Sequence, residues 1–154
     1  MAVHRLSTRQ VVPASLDEAW AFFSSPRNLP LITPPWLDLR LTSEPPAQMY
    51  PGLIITYTVR PLLGVPLPWA TEITHVEERV RFVDDQRVGP YSLWHHQHHF
   101  REVEGGTEVC DTVHYALPFG PLGDIVARLA VRPRLHAIFE YRRAVLRERF
   151  GVAG

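Results

Sequence analysis

The sequence predicts an α+β fold in which a curved antiparallel sheet of about six or seven strands wraps around one long C-terminal helix. Three observations carry this expectation. Between Leu37 and Leu117 apolar residues recur with period two in one segment after another, and after Pro118 the period becomes helical. The links between the period-two segments are short and rich in Pro and Gly, which permits antiparallel neighbours only, because a parallel crossover takes a dozen or more residues. Such a sheet has one face to bury, and the C-terminal helix is the only element long enough to cover it.

Each element has a local justification. His4–Val12 alternates loosely and reads as a first strand, which Pro13 ends. Ser15 and Glu18 form a capping box that opens a helix carrying Leu16, Ala19, Trp20 and Phe23 on one stripe. That helix stops before Pro26, and a second short one is expected over Pro26–Leu31. Strands follow at Leu37–Thr42, Leu53–Arg60, Trp69–Glu78, Arg81–Val88, Leu93–Val103 and Thr107–Leu117. A tight turn at Gly105-Gly106 pairs Glu104 with Thr107, so that partners in the last hairpin sum to 211. The closing helix carries Leu122, Ile125, Val126 and Leu129, then Leu135, Ile138, Phe139, Val145 and Leu146. Pro133 lies inside it and should break or bend it, since Pro lacks an N–H and clashes with the carbonyl of Leu129.

Composition bounds the function. A chain of 154 residues suits a single domain, 1–154. Sixteen basic residues, all Arg, balance sixteen acidic ones, so no net field draws the protein to nucleic acid. The longest apolar stretch, Pro61 to Ala70, is far short of the roughly 20 residues that span a bilayer, so stable membrane insertion is not expected. Met1 to Gln10 lacks the apolar run of a signal peptide, and Cys110 is the only cysteine. Both point to a cytoplasmic protein in a reducing compartment without a disulfide.

Four stretches resemble a known family: SSPRNLPLITPPWL (Ser24–Leu37), GVPLPWATEI (Gly64–Ile73), RFVDDQRVGPYSLWHHQHHF (Arg81–Phe100) and YALPFGPLGD (Tyr115–Asp124). The third is the most specific. They are similar to the START or Bet v 1-like (SRPBCC) helix-grip superfamily, in its bacterial polyketide cyclase/dehydrase-like branch, also labelled cell-division-inhibitor-like. The resemblance implies a helix-grip fold that binds an apolar small molecule, such as a lipid, an aromatic or a polyketide-like compound, between sheet and helix. It implies neither a cofactor nor a metal, and only some such proteins do chemistry.

The candidate site follows from strand parity. Residues two apart share a face, so Trp94, His96, His98 and Phe100 point inward while His95, Gln97, His99 and Arg101 point outward. In the sum-211 register Asp111, Val113 and Tyr115 join the inward face, with Tyr115 opposite His96 and Asp111 diagonal to His98. A bulged or longer turn at Gly89-Pro90 adds Phe82, Asp84 and Gln86, with Asp84 beside His96. The Trp36 turn, Trp69, and Leu129 and Ile138 of the helix complete the expected ligand wall. The leading reading of this cluster is a hydrogen-bonded polar network that orients a ligand's oxygen atoms. An alternative is a cyclase or dehydratase in which Asp84 holds His96 as a proton-transfer group and Tyr115 donates a proton. Another is a metal site, because His-x-His on a strand plus Asp can supply three ligands. A purely structural role completes the set. The Arg60–Pro68 loop, unusually apolar for a surface loop, reads as a cavity lid, a homodimer contact or a membrane-touching tip, with the Thr33–Leu37 turn as its partner. The arginines of the last helix, Arg142 among them, read as a solvated face.

Overall fold

The structure is a computed structural model and describes residues 1–153. Among these, seven strands form one antiparallel sheet: β1 (His4–Val12), β2 (Arg40–Leu41), β3 (Ile54–Val59), β4 (Leu67–Glu77), β5 (Arg81–Val88), β6 (Leu93–Val103) and β7 (Gly106–Ala116). The spatial order is β1-β7-β6-β5-β4-β3-β2, so strands two to seven lie in chain order and β1 closes the far edge beside β7. Helix α1 (Leu16–Phe23) begins as expected, with the Ser15 hydroxyl accepting from the Glu18 amide at 3.1 Å. It buries Ala19, Trp20, Phe22 and Phe23. Pro26–Ile32 forms a 3₁₀ helix, the tighter coil that tolerates Pro30 inside it.

Two local expectations are corrected. The strand expected at Leu37–Thr42 shrinks to two residues, because Pro35–Leu37 winds into a 3₁₀ turn and Asp38 takes a left-handed conformation. In the last hairpin Val103 pairs with Gly106, so partners sum to 209 rather than 211 and Glu104-Gly105 is the turn. The reason is non-local. Gly106 lies under the end of β1, where an added Cβ would come within 2.0 Å of the Val12 carbonyl oxygen, so Gly106 is spent on close approach and Gly105 (φ 89°) alone supplies the turn. The shift is two residues, so every side chain keeps its face but meets a new partner.

The closing helix is interrupted next to Pro133, as expected. It runs as α2 (Gly120–Val126), a π-helical turn (Ala127–Val131) and α3 (Arg132–Phe150), with Pro133 at the start of α3. The interruption foreseen at Pro133 is thus a π turn immediately before it, which absorbs the missing N–H. A π turn holds an extra residue and rotates the preceding segment relative to α3. Leu135, Phe139 and Leu146 are buried, whereas Leu122, Ile125 and Leu129 are exposed.

The buried core is not continuous. One cluster packs α1 against Phe82, Phe100 and Val109 at one end of the sheet. A second packs Leu6, Val113 and Tyr115 against Leu135 and Phe139 of α3, and a third gathers Leu53, Ile55 and Ile73 on β3 and β4. Register shifts between β4 and β5 at Ala70/Thr71 and Ile73/His75 interrupt the ladder, the kind of irregularity that bends a strand. The space between the three clusters is a cavity.

Candidate functional site in the cavity under the sheet

The cavity has a volume of about 650 Å³, within the range of small-molecule sites. Its walls are mostly apolar, with Phe22, Ile55, Trp69, Trp94, Leu135 and Phe139 among them. Leu62, Leu63 and Val65 of the Arg60–Pro68 loop border it, as do Phe119 and Leu122 at the start of α2. The loop is tied to the Trp36 turn: the Arg60 amide donates to the Leu37 carbonyl at 2.7 Å, and its guanidinium lies 3.1 Å from Asp38. Leu63 and Phe119 are 97% and 81% exposed, and both hold a left-handed backbone that bulky residues rarely adopt.

Register brings the polar groups together at one end. Asp84 on β5 lies opposite His96 on β6, and His98 lies opposite Asp111 on β7. Each carboxylate also reaches the histidine diagonal to it. Asp84 Oδ2 is 2.7 Å from His98 Nε2 and 3.7 Å from His96 Nδ1. Asp111 Oδ1 is 2.8 Å from His96 Nε2 and 3.1 Å from His98 Nδ1. The two imidazoles stack between the carboxylates with centroids 3.7 Å apart, and Phe82 stacks on the far side of His98 at 4.0 Å. Thr8 donates to Asp111 Oδ2 at 3.4 Å, and an Arg142 NH1 from α3 lies 3.8 Å from Oδ1.

The charge states follow from this geometry. Burial is the largest influence on every member and opposes charge. On His96 burial prevails, reinforced by the neighbouring His98, so its pKa falls below the ordinary 6.5. On His98 burial is outweighed by hydrogen bonding to Asp111 and Asp84, and the pKa rises. The two imidazoles push both carboxylates down against burial, Asp111 well below the ordinary 3.8. The distances agree with these directions: both ring nitrogens of His98 lie within hydrogen-bond distance of a carboxylate, whereas only Nε2 of His96 does, so His98 is the ring placed to carry a proton.

This arrangement can orient a polar ligand group and can exchange a proton at His96. It also offers a metal three donor atoms, from Asp84, His96 and His98, all within 4.8 Å of one another. The imidazole planes, however, lie 30° from parallel at 3.7 Å, so their lone pairs run side by side, whereas the ligands of one metal converge on it.

Of the residues expected at the site, Trp36, Trp69, Phe82, Asp84, Trp94, His96, His98 and Ile138 border the cavity. The others fall elsewhere. Gln86 spends its amide on the Gly89 turn, donating to the Tyr91 carbonyl at 2.8 Å and accepting from the Tyr91 amide at 3.0 Å. Phe100 packs edge-on against Trp20 at 5.2 Å. Asp111 stands behind the histidines, beside a small void next to α3. Val113 and Tyr115 are buried in the core beneath α3; Tyr115 lies opposite Trp94, not His96, and stacks on His4 at 5.3 Å. Leu129 is 76% exposed, turned outward ahead of α3 by the π turn.

Sequence reasoning missed Tyr57, Thr71 and Arg142, all of which border the cavity. The Trp69 indole donates to Thr71 Oγ1 at 2.9 Å, and the Tyr57 hydroxyl lies 3.3 Å from the same oxygen. Burial raises the Tyr57 pKa, so its hydroxyl keeps its proton. Parity with Ile55 and Val59 was the available signal for Tyr57, and parity with Trp69 and Ile73 for Thr71. No local signal separated Arg142 from its exposed neighbours.

Comparison with known proteins agrees with this architecture. Residues 12–139 match the model of the family described as polyketide cyclase / dehydrase and lipid transport. No curated protein matches the sequence. Among solved structures, a protein from Rhizobium leguminosarum is 16% identical with a TM-score of 0.69, covering 96% of each chain. The protein Ara h 8.0201 is 15% identical with a TM-score of 0.61, over 96% of this chain and 99% of its own. The di-domain ARO/CYC protein StfQ of the steffimycin biosynthetic pathway is 14% identical with a TM-score of 0.69, over 97% of this chain and 53% of its own. At these identities the likeness is one of fold, and it is the helix-grip fold expected from the sequence motifs. No described helix is long and apolar enough to cross a membrane. On the extent of the family match, the chain belongs to the polyketide cyclase / dehydrase and lipid transport family.

Proposed function

We propose that this protein binds an apolar small molecule, of lipid, aromatic or polyketide type, in the cavity between sheet and α3. The observation that carries this reading is a cavity of about 650 Å³ with mostly apolar walls, bordered by an internally paired polar cluster. The walls supply affinity through burial, at about 25 cal/mol per Å² of apolar surface, and the polar end supplies orientation. Mass spectrometry of a gently denatured preparation tests it. A near-stoichiometric apolar compound is expected, and a preparation that neither carries one nor takes one up from a lipid and aromatic mixture refutes it.

A second reading, a cyclase or dehydratase in the same cavity, is supported by His96. This histidine borders the cavity, is held neutral by burial and is fixed by Asp111 and Asp84, which suits a proton-transfer group at neutral pH. Tyr115, outside the cavity wall, has no part in it. Turnover of the co-purified compound, lost on His96→Gln, distinguishes the two readings.

A further inference from the structure

Among the described residues two buried side-chain nitrogens lack a hydrogen-bond partner, His4 Nε2 and Arg142 Nε, and of these residues only Arg142 borders the cavity. Its side chain is 11% exposed and its guanidinium lies over the Phe139 ring at 5.0 Å. Its approach to Asp111, 3.8 Å, is too long for a hydrogen bond. Nε is closed off from the cavity, so the groups an incoming acceptor can meet are the terminal NH groups of the guanidinium, which cannot shed its proton and gains from a charge-assisted hydrogen bond. On the same helix Arg134 also borders the cavity, but it is exposed and lies over the Trp36 ring at 5.4 Å, while Arg143 donates to the Arg9 carbonyl at 2.7 Å and Arg149 lies over the Phe22 ring.

We propose that Arg142 anchors an anionic oxygen, so that the ligand is an apolar acid with its carboxylate at Arg142 and its body along the aromatic wall. This rests on the cavity-binding reading above and names the ligand's chemistry within it. A planar fork of donors matches a carboxylate better than any single-point acceptor. The nearby carboxylates are each paired with a histidine, Asp84 with His98 at 2.7 Å and Asp111 with His96 at 2.8 Å and His98 at 3.1 Å, which leaves the Arg142 charge to an incoming anion. Tyr57 and Thr71, hydroxyl-bearing side chains of the same cavity, are bonded to each other and leave one O–H between them to donate to an oxygen.

The test uses dodecanoate and methyl dodecanoate, titrated into the intact protein and followed by calorimetry and tryptophan fluorescence. The acid is expected to bind about tenfold to a hundredfold tighter than the ester, the usual span for a hydrogen bond to a charged group. Arg142→Gln should abolish that preference, and Arg142→Lys should keep part of it. The wild-type comparison stands even where a variant does not fold. Equal binding of acid and ester refutes the anchor and leaves the cavity reading intact. Binding of neither compound refutes the anchor together with the reading on which it rests.

Discussion

Replacing Asp111 by Asn tests the charge assignment at the centre of the site. Asp111 holds His96 at 2.8 Å and His98 at 3.1 Å, and stands 3.8 Å from Arg142. Its neutral isostere leaves His98 and Arg142 facing Asp84 alone, and removing one partner of a buried charge pair costs about 3–5 kcal/mol. The Asn oxygen still accepts from one imidazole, which returns about 1 kcal/mol. The net expectation is a loss of about 2–4 kcal/mol, or roughly 10 °C in Tm for a chain of this size. The pH dependence carries the stronger test. A raised histidine pKa adds stability that is fully present below the ordinary value of 6.5 and is lost as pH rises through the folded value. Removing Asp111 lowers the proton affinity of His98 and so removes that contribution. The penalty should therefore be greatest below pH 6.5 and shrink toward pH 8.5. Thermal and urea unfolding followed by circular dichroism at pH 5.5, 7 and 8.5 measure it. A loss under about 1 kcal/mol at every pH, or one that grows with pH, refutes the paired-proton arrangement.

For the unaltered protein, His96 and His98 work in opposite directions: the lowered pKa of His96 removes stability as pH falls below 6.5, and the raised pKa of His98 removes it as pH rises above. Their combined contribution should peak near 6.5, and NMR titration should find one imidazole titrating below and one above that value; two coincident titrations would refute it. His96→Gln should change the affinity of the co-purified compound by less than about tenfold, since Gln keeps a donor and an acceptor, while any turnover falls by about 10²–10⁴. Gln86→Ala removes both hydrogen bonds to Tyr91 and should cost about 1–2 kcal/mol, with faster hydrogen exchange at the Tyr91 amide; unchanged exchange would contradict the turn-capping role. Pro133→Ala restores a donor toward Leu129 and should stabilise the fold by about 1 kcal/mol, less than the ~3 kcal/mol of a strained helical Pro because the π turn already relieves it; a loss of stability would overturn that account.

The sequence by itself determined the elements and their faces. Alternation along Leu93–Val103 placed His96 and His98 with Trp94 and Phe100 because strand periodicity is local, and the same holds for the Ser15 cap and for antiparallel pairing through short turns. Asp84 beside His96 was also legible, once the Gly89 turn was given an extra residue. Tertiary structure decided which inward groups meet. The Gly106 backbone passes too close to Val12 for a Cβ, a contact 94 residues apart in the chain, and this sets the register that puts Asp111 opposite His98 rather than diagonal to it. The π turn ahead of Pro133 turned Leu129 outward, and the docking of α3 set Arg142 at the cavity wall while Arg143 reaches the Arg9 carbonyl of β1. Periodicity reports the direction of a side chain relative to its own backbone; what that side chain touches depends on how distant segments close over it.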